Sequence, residues 1–145
     1  MAILKSTRGA QYLMEAEFSF TIGDTMTNTA GAADAFASVA AHVFDVINLP
    51  PGAVVLSGEV VTDTAFVGST AYNVKVGDSV SDTRYLGTTD KTTAARTALV
   101  PTGYLGQGEN IRLTVTPTVA PATAGKITLR VVFAQTGRAN ESVPG

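Results

Sequence analysis

This chain of 145 residues has no cysteine, no tryptophan and a single histidine, His42. Without thiols there is no disulfide framework, no thiolate metal site and no cysteine nucleophile. One histidine per chain excludes a histidine cluster for metal. Charge is scarce too: 15% of residues are charged, against about 25% in a typical soluble domain. A net charge of -2 and a pI near 5.2 leave no basic field for a phosphate backbone, so no nucleic-acid partner is expected. Mean hydropathy is +0.21, yet no apolar run approaches the roughly 18 residues that span a membrane. Lys5 and Arg8 near the N-terminus are not followed by an apolar core of signal-peptide type, so secretion by that route is not expected. What remains is a chain of single-domain length with an under-charged surface rich in Thr and Ala. Such a surface suits permanent cover by partners.

The hydrophobic pattern is that of strands. The stretch from Leu49 to Asp78 opens on a Leu-Pro-Pro-Gly corner. It continues as a long strand over Ala53 to Phe66, a Val-Gly-Ser-Thr turn and a second strand over Ala71 to Val76. Tyr72, Val74 and Val76 alternate with Ala71, Asn73 and Lys75, the period of a half-buried strand. In the longer strand Val54, Leu56, Val60 and Phe66 share one parity and are expected on one face, with Ser57, Glu59 and Asp63 on the other. Gly58 marks a bulge or a close backbone approach. Strict alternation also runs through Glu15 to Ile22, Ile111 to Val119 and Lys126 to Ala134. Gly23 to Gly31 reads as a polar loop. A loop or short helical turn through about Ser38 leads to a strand over Ala41 to Asn48. Arg84 to Leu86 reads as a short strand, Gly87 to Asp90 as a turn, and Lys91 to Val100 as either strand or helical turn. These spacings predict an all-β, two-sheet sandwich over 15–135. An N-terminal arm over 1–14 and a loose polar tail over 136–145 flank it. The arm is too apolar for a free tail and is expected to pack on its own domain or on a neighbour.

Nothing in the chain spells out a reaction. His42 beside Val43 and Phe44 reads as a partly buried structural residue, and no Gly-x-Ser-x-Gly elbow is present. Asp78 and Asp82 flank a short loop without the calcium-loop pattern, and Asp in turns commonly bonds its own backbone. Glu15, Glu17, Glu59 and Asp63 alternate with apolar residues, as on a solvated outer face rather than in a glycosidase pair. Gly103, Gly106 and Gly108 lack the Gly-Lys-Ser/Thr of a phosphate loop. Asn140-Glu141-Ser142 matches a glycosylation sequon without a secretion signal to use it. Tyr12, Tyr72, Tyr85 and Tyr104 form at best a weak sugar platform, and a glycan-binding module of a phage tail or fibre is the competing expectation. No catalytic residue, cofactor or metal is expected, and the chain is not expected to be an enzyme.

The run from Val43 to Val55 with Gly58 to Val61 and Ala65-Phe66, and the stretches Tyr72 to Asp78 and Asp82 to Leu86, resemble small structural proteins of tailed-phage virions. The head decoration, or cement, proteins are the family they resemble most. The resemblance covers roughly residues 41 to 90. It implies a jelly-roll-like sandwich with extended terminal arms, assembled as dimers or trimers on the outer capsid surface, where it bridges and stabilises major capsid protein subunits. Clamping of this kind needs complementary surface rather than a reactive group, and many copies add small interfaces into large avidity. The contact elements expected from position and composition are Ile3, Leu4, Tyr12 and Leu13 in the arm, and Arg138 and Val143 in the tail.

Overall fold

The structure, a computed structural model, describes the backbone of residues 10–140 and the side chains of residues 13–135. Its strands are β1 (Ala10–Thr21), β2 (Thr25–Thr27), β3 (Ala33–Ala35), β4 (His42–Ile47) and β5 (Ala53–Val67). After these come β6 (Ala71–Gly77), β7 (Leu86–Asp90), β8 (Arg96–Ala98), β9 (Ile111–Thr118) and β10 (Ala124–Asn140). Sheet I has the order β1-β10-β5-β8 and sheet II the order β4-β9-β6-β7, while β2 and β3 form a separate ribbon. All pairings are antiparallel. Without the ribbon, the chain wraps repeatedly from one sheet to the other in an order compatible with a jelly roll.

The core lies between the sheets, where the alternating apolar sides meet. Ile127, Leu129 and Val131 of sheet I and Tyr72, Val74, Val76, Ile111, Leu113 and Val115 of sheet II are all fully buried. Phe36, just after β3, carries the ribbon into this core. Its ring stacks on Phe20 of β1 at 4.0 Å and meets Phe44 of β4 at 4.4 Å, so one side chain ties both sheets together. Phe66 and Tyr72 stack at 3.9 Å across the short turn between β5 and β6. The Tyr72 hydroxyl, deep in the core, donates to the Phe36 carbonyl at 2.8 Å, and burial raises its pKa.

Several expectations are corrected here. Val54 is only partly buried and Leu56 is 49% exposed; the inward residues of that half of β5 are Ala53 and Val55. Val132 pairs with Ser57 and Phe133 with Val55, so Leu56 is the extra residue of a bulge that switches faces before Val60. Gly58 lies beside it. A Cβ there would come within 2.5 Å of the Arg130 carbonyl, the close approach its position signalled. Thr25–Thr27 is a strand rather than loop, and Gly87–Asp90 belongs to β7 rather than to a turn. The expected boundaries at 14 and 136 both fall inside strands: Ala10 pairs with Asn140 and Gln11 with Ala139, so the stretch 135–140 is not a loose tail.

Candidate interaction surfaces

Among the described residues, no group of three or more His, Asp or Glu side chains is placed to hold a metal ion. The polar chemistry sits instead on surfaces. On the outer face of sheet I, neighbouring strands set Glu17, Arg130, Glu59 and Ala98 in one row, with Arg96 one step along. Arg130 reaches Glu17 and Glu59 at 3.1 Å each, and Arg96 also bonds Glu59. Hydrogen bonds from Arg96 and Arg130 hold the Glu59 carboxyl below its usual range. Glu15, Glu17 and Asp63 are exposed to solvent, as their alternation implied, while Glu59 is partly buried and held by the arginines.

The two ends of the sandwich differ. At the end where β5 begins, Asp78 is buried and its Oδ1 accepts the Val80 and Ser81 amides at 2.9 and 2.8 Å, an Asx turn as its loop position suggested. Arg84 closes on the same carboxylate and lies 3.5 Å above the Tyr104 ring. The Tyr104 hydroxyl then donates to Glu109 at 2.8 Å. Burial works to raise the Asp78 pKa; Arg84 and the two amides outweigh it and hold the carboxyl below its ordinary value. Tyr85 beside them is buried, which pushes its hydroxyl up to about 12. The Lys75–Asp82 pair at 2.7 Å and the Arg112–Asp45 pair at 2.9 Å frame a shallow basin over Thr114 on sheet II.

At the opposite end, the loops 37–41, 67–70 and 119–123 contain no charged residue. They bond to one another: Ala122 donates to the Ala37 carbonyl at 3.1 Å, and the Ser69 hydroxyl to the Ala120 carbonyl at 2.6 Å. Val39, Val67 and Val119 are exposed there, Val119 by 82%. Ala40 and Val119 have φ of 126° and 72°, a region that costs a side-chain-bearing residue energy. His42 underlies this end as a structural residue. Its Nδ1 meets Asp34 at 2.6 Å and its Nε2 meets the Ser38 carbonyl at 2.8 Å, pinning the ribbon. Burial opposes ionisation of Asp34, but bonds from His42 and Asn28 prevail and lower its pKa. Lys91, which no local sequence pattern marks, is 1% exposed in the core. Its ammonium donates to Thr97 Oγ1 at 2.7 Å, and burial lowers its pKa against the opposing charge of Asp90.

Of the expected contact residues, Leu13 lies on β1 and is 64% exposed. Ile3, Leu4 and Val143 lie outside the described residues. Tyr12 and Arg138 are described only in their backbones, on β1 and β10. β1 and β10 pair at their outer ends, so Ala10 and Asn140, where the described backbone begins and ends, lie side by side at one corner. Leu13, Ala134, Val54 and Leu105 make an adjoining row, with Leu13 and Leu105 exposed. Among the described side chains the tyrosines do not assemble a sugar platform: Tyr72 and Tyr85 are buried and Tyr104 is capped by Arg84.

No family model matches the sequence, and no curated protein matches it. Solved structures do match the fold. A chain of the cyanophage Pam1 capsid asymmetric unit superposes with a TM-score of 0.61 at 22% identity, over 92% of this chain and 91% of that one. A chain of the acid-stable capsid of Helicobacter pylori bacteriophage KHP30 gives 0.55 at 20% identity, over 86% and 87%. A chain of the capsid of Ralstonia phage GP4 gives 0.58 at 14% identity, over 88% and 87%. The fold of this chain, along nearly its whole length, is therefore one found in phage capsid structures.

Proposed function

We propose that this chain is a non-enzymatic structural component of a phage virion, one that decorates the outer surface of the capsid and stabilises it by bridging neighbouring major capsid protein subunits. The observation that carries the reading is the likeness of fold to chains of three phage capsid structures, each covering at least 86% of this chain. The surfaces agree with it. The molecule offers paired charges, an uncharged end and the ends of β1 and β10 side by side at one corner, all features suited to contact rather than catalysis. The terminal segments, with Ile3, Leu4, Tyr12, Leu13, Arg138 and Val143, are the contact elements, and the working form is a homodimer or homotrimer. Immunogold labelling of intact virions tests the location, and dense label over the head is the expected result. Label confined to the tail tip overturns the reading. Co-sedimentation with undecorated capsids tests the contact: removing residues 1–9, which precede β1, is expected to abolish shell binding while leaving the melting temperature unchanged.

A further inference from the structure

β1 ends sheet I. β10 pairs with one of its edges, and among the described residues no strand pairs with the other. A long edge of this kind is a template for an added strand. Beside it lies a slot lined by Phe18, Phe20, Met26 and Phe36, with Ser19 and Asp24 at its rim. The face of β1 turned away from the core carries Glu15 and Glu17. Antiparallel pairing of β1 with a second β1 about Ala16 would set Glu15 opposite Glu17 twice, and like charges directly opposite destabilise a sheet. A strand that fits must instead place an apolar side chain toward the slot and a cation on the glutamate side.

Residues 1–9 have that composition. Leu4 and Lys5 are adjacent, so in an extended segment they point to opposite faces. Antiparallel addition with Leu4 opposite Phe18 sets Lys5 opposite Glu17. The chain cannot do this to itself. Turning back tightly at Arg8-Gly9 puts Thr7 opposite Ala10 and Leu4 opposite Leu13, about 17 Å from Phe18 at about 3.4 Å per residue. The segment 141–145 has Glu141 and no cation, the wrong charge for this edge.

We infer that the free edge of β1, with the Phe18–Phe20–Met26 slot, is the docking site for the N-terminal segment of a second copy of this chain, with Leu4 in the slot and Lys5 against Glu17. The inference rests on the reading of the N-terminal segment as a contact element and assigns that contact to self-assembly. Sedimentation velocity on the full-length protein tests it without any capsid. The wild type is expected to associate, and Leu4→Asp and Lys5→Glu each to weaken association by about tenfold or more. Combining Lys5→Glu with Glu17→Lys is expected to regain most of it. Amide exchange at residues 14–20 should slow as the wild type associates and stay fast in Leu4→Asp. Unchanged melting of the single variants would place their effect on the contact rather than on the fold. A wild type that stays monomeric, or single variants that associate like it, overturns the inference. So does loss of capsid co-sedimentation in Leu4→Asp with self-association intact; that result hands the segment to the shell and leaves the proposed function standing.

Discussion

The two ends of the sandwich solve the same problem with opposite chemistry. Both must close a core between two sheets and satisfy the backbone of several loops. The end around Asp78 does so with charge: a buried carboxylate, Arg84 upon it, Tyr104 beneath the guanidinium and Glu109 beyond. The end around Val119 does so with aromatic stacking inside and uncharged loops outside, Phe20 on Phe36 and Phe66 on Tyr72. Charge fixes a loop by direction but makes it depend on pH. Apolar closure itself carries no charge, although the His42–Asp34 pair pins the ribbon beneath it, and it leaves valines facing solvent. The uncharged end is thus rigid from within and sticky without, and the charged end is fixed and well hydrated.

Substitutions separate these two designs. Phe36→Ala should have the largest effect, removing the ring that joins both sheets and the ribbon; a loss of about 3–5 kcal/mol is expected by urea unfolding. At the other end Arg84→Ala leaves the Asp78 carboxylate buried without its cation, and about 3 kcal/mol should be lost near neutral pH. The pH dependence has a definite sign. The folded Asp78 pKa is depressed, so its stabilisation is present above the unfolded value of about 3.9 and is lost as pH falls through the folded value. Asp78→Asn should therefore flatten part of the acid limb of the melting curve, while Phe36→Ala should shift the whole curve without changing that limb. Equal flattening by both would erase the contrast between the ends.

Smaller effects sharpen the picture. Val119→Gly frees a β-branched residue from positive φ at a solvent-facing loop, and stability should rise by about 1 kcal/mol in thermal melts. Lys75→Ala breaks a pair whose partners are 28% and 55% exposed, and a change below about 1 kcal/mol is expected.

Much of this architecture is legible in the residues themselves. Tyr72, Val74 and Val76, or Ile127, Leu129 and Val131, announce their strands because period and flanking turn residues agree. Gly58 announces a close approach because a strand rarely tolerates glycine without one. What is not legible depends on partners far along the chain. The face switch at Leu56 arises from pairing with β10, so local parity misplaces Val54 and Leu56. Gly87–Asp90 looks like a turn by composition and becomes a strand because Asn73 and Val74 pair with it. At Asp78 the local turn was readable, but the Arg84–Tyr104 link was not, since a loop 20 residues away supplies the ring. Lys91 is a polar letter in a polar stretch, and only its bonds to Phe66 of β5, Tyr72 of β6 and Thr97 of β8 place it in the core. Among the surface features, exposed Leu13 follows from its place on the outward parity of β1. The slot beside Phe18 needs Met26 and Phe36, which the sequence alone read as loop.

The pairing of β1 with β10 also sets when the molecule can form. Among the described residues, β1 pairs in sheet I only with β10, and β5 shares its longest ladder with β10 as well. Contacts between strands far apart in sequence must wait for the later strand and are slow to close. A chain synthesised only as far as β9 cannot complete sheet I, so the corner where Ala10 meets Asn140 forms only once β10 has emerged. A product truncated before β10 lacks the longest ladders of sheet I and leaves β1 without the strand that holds it.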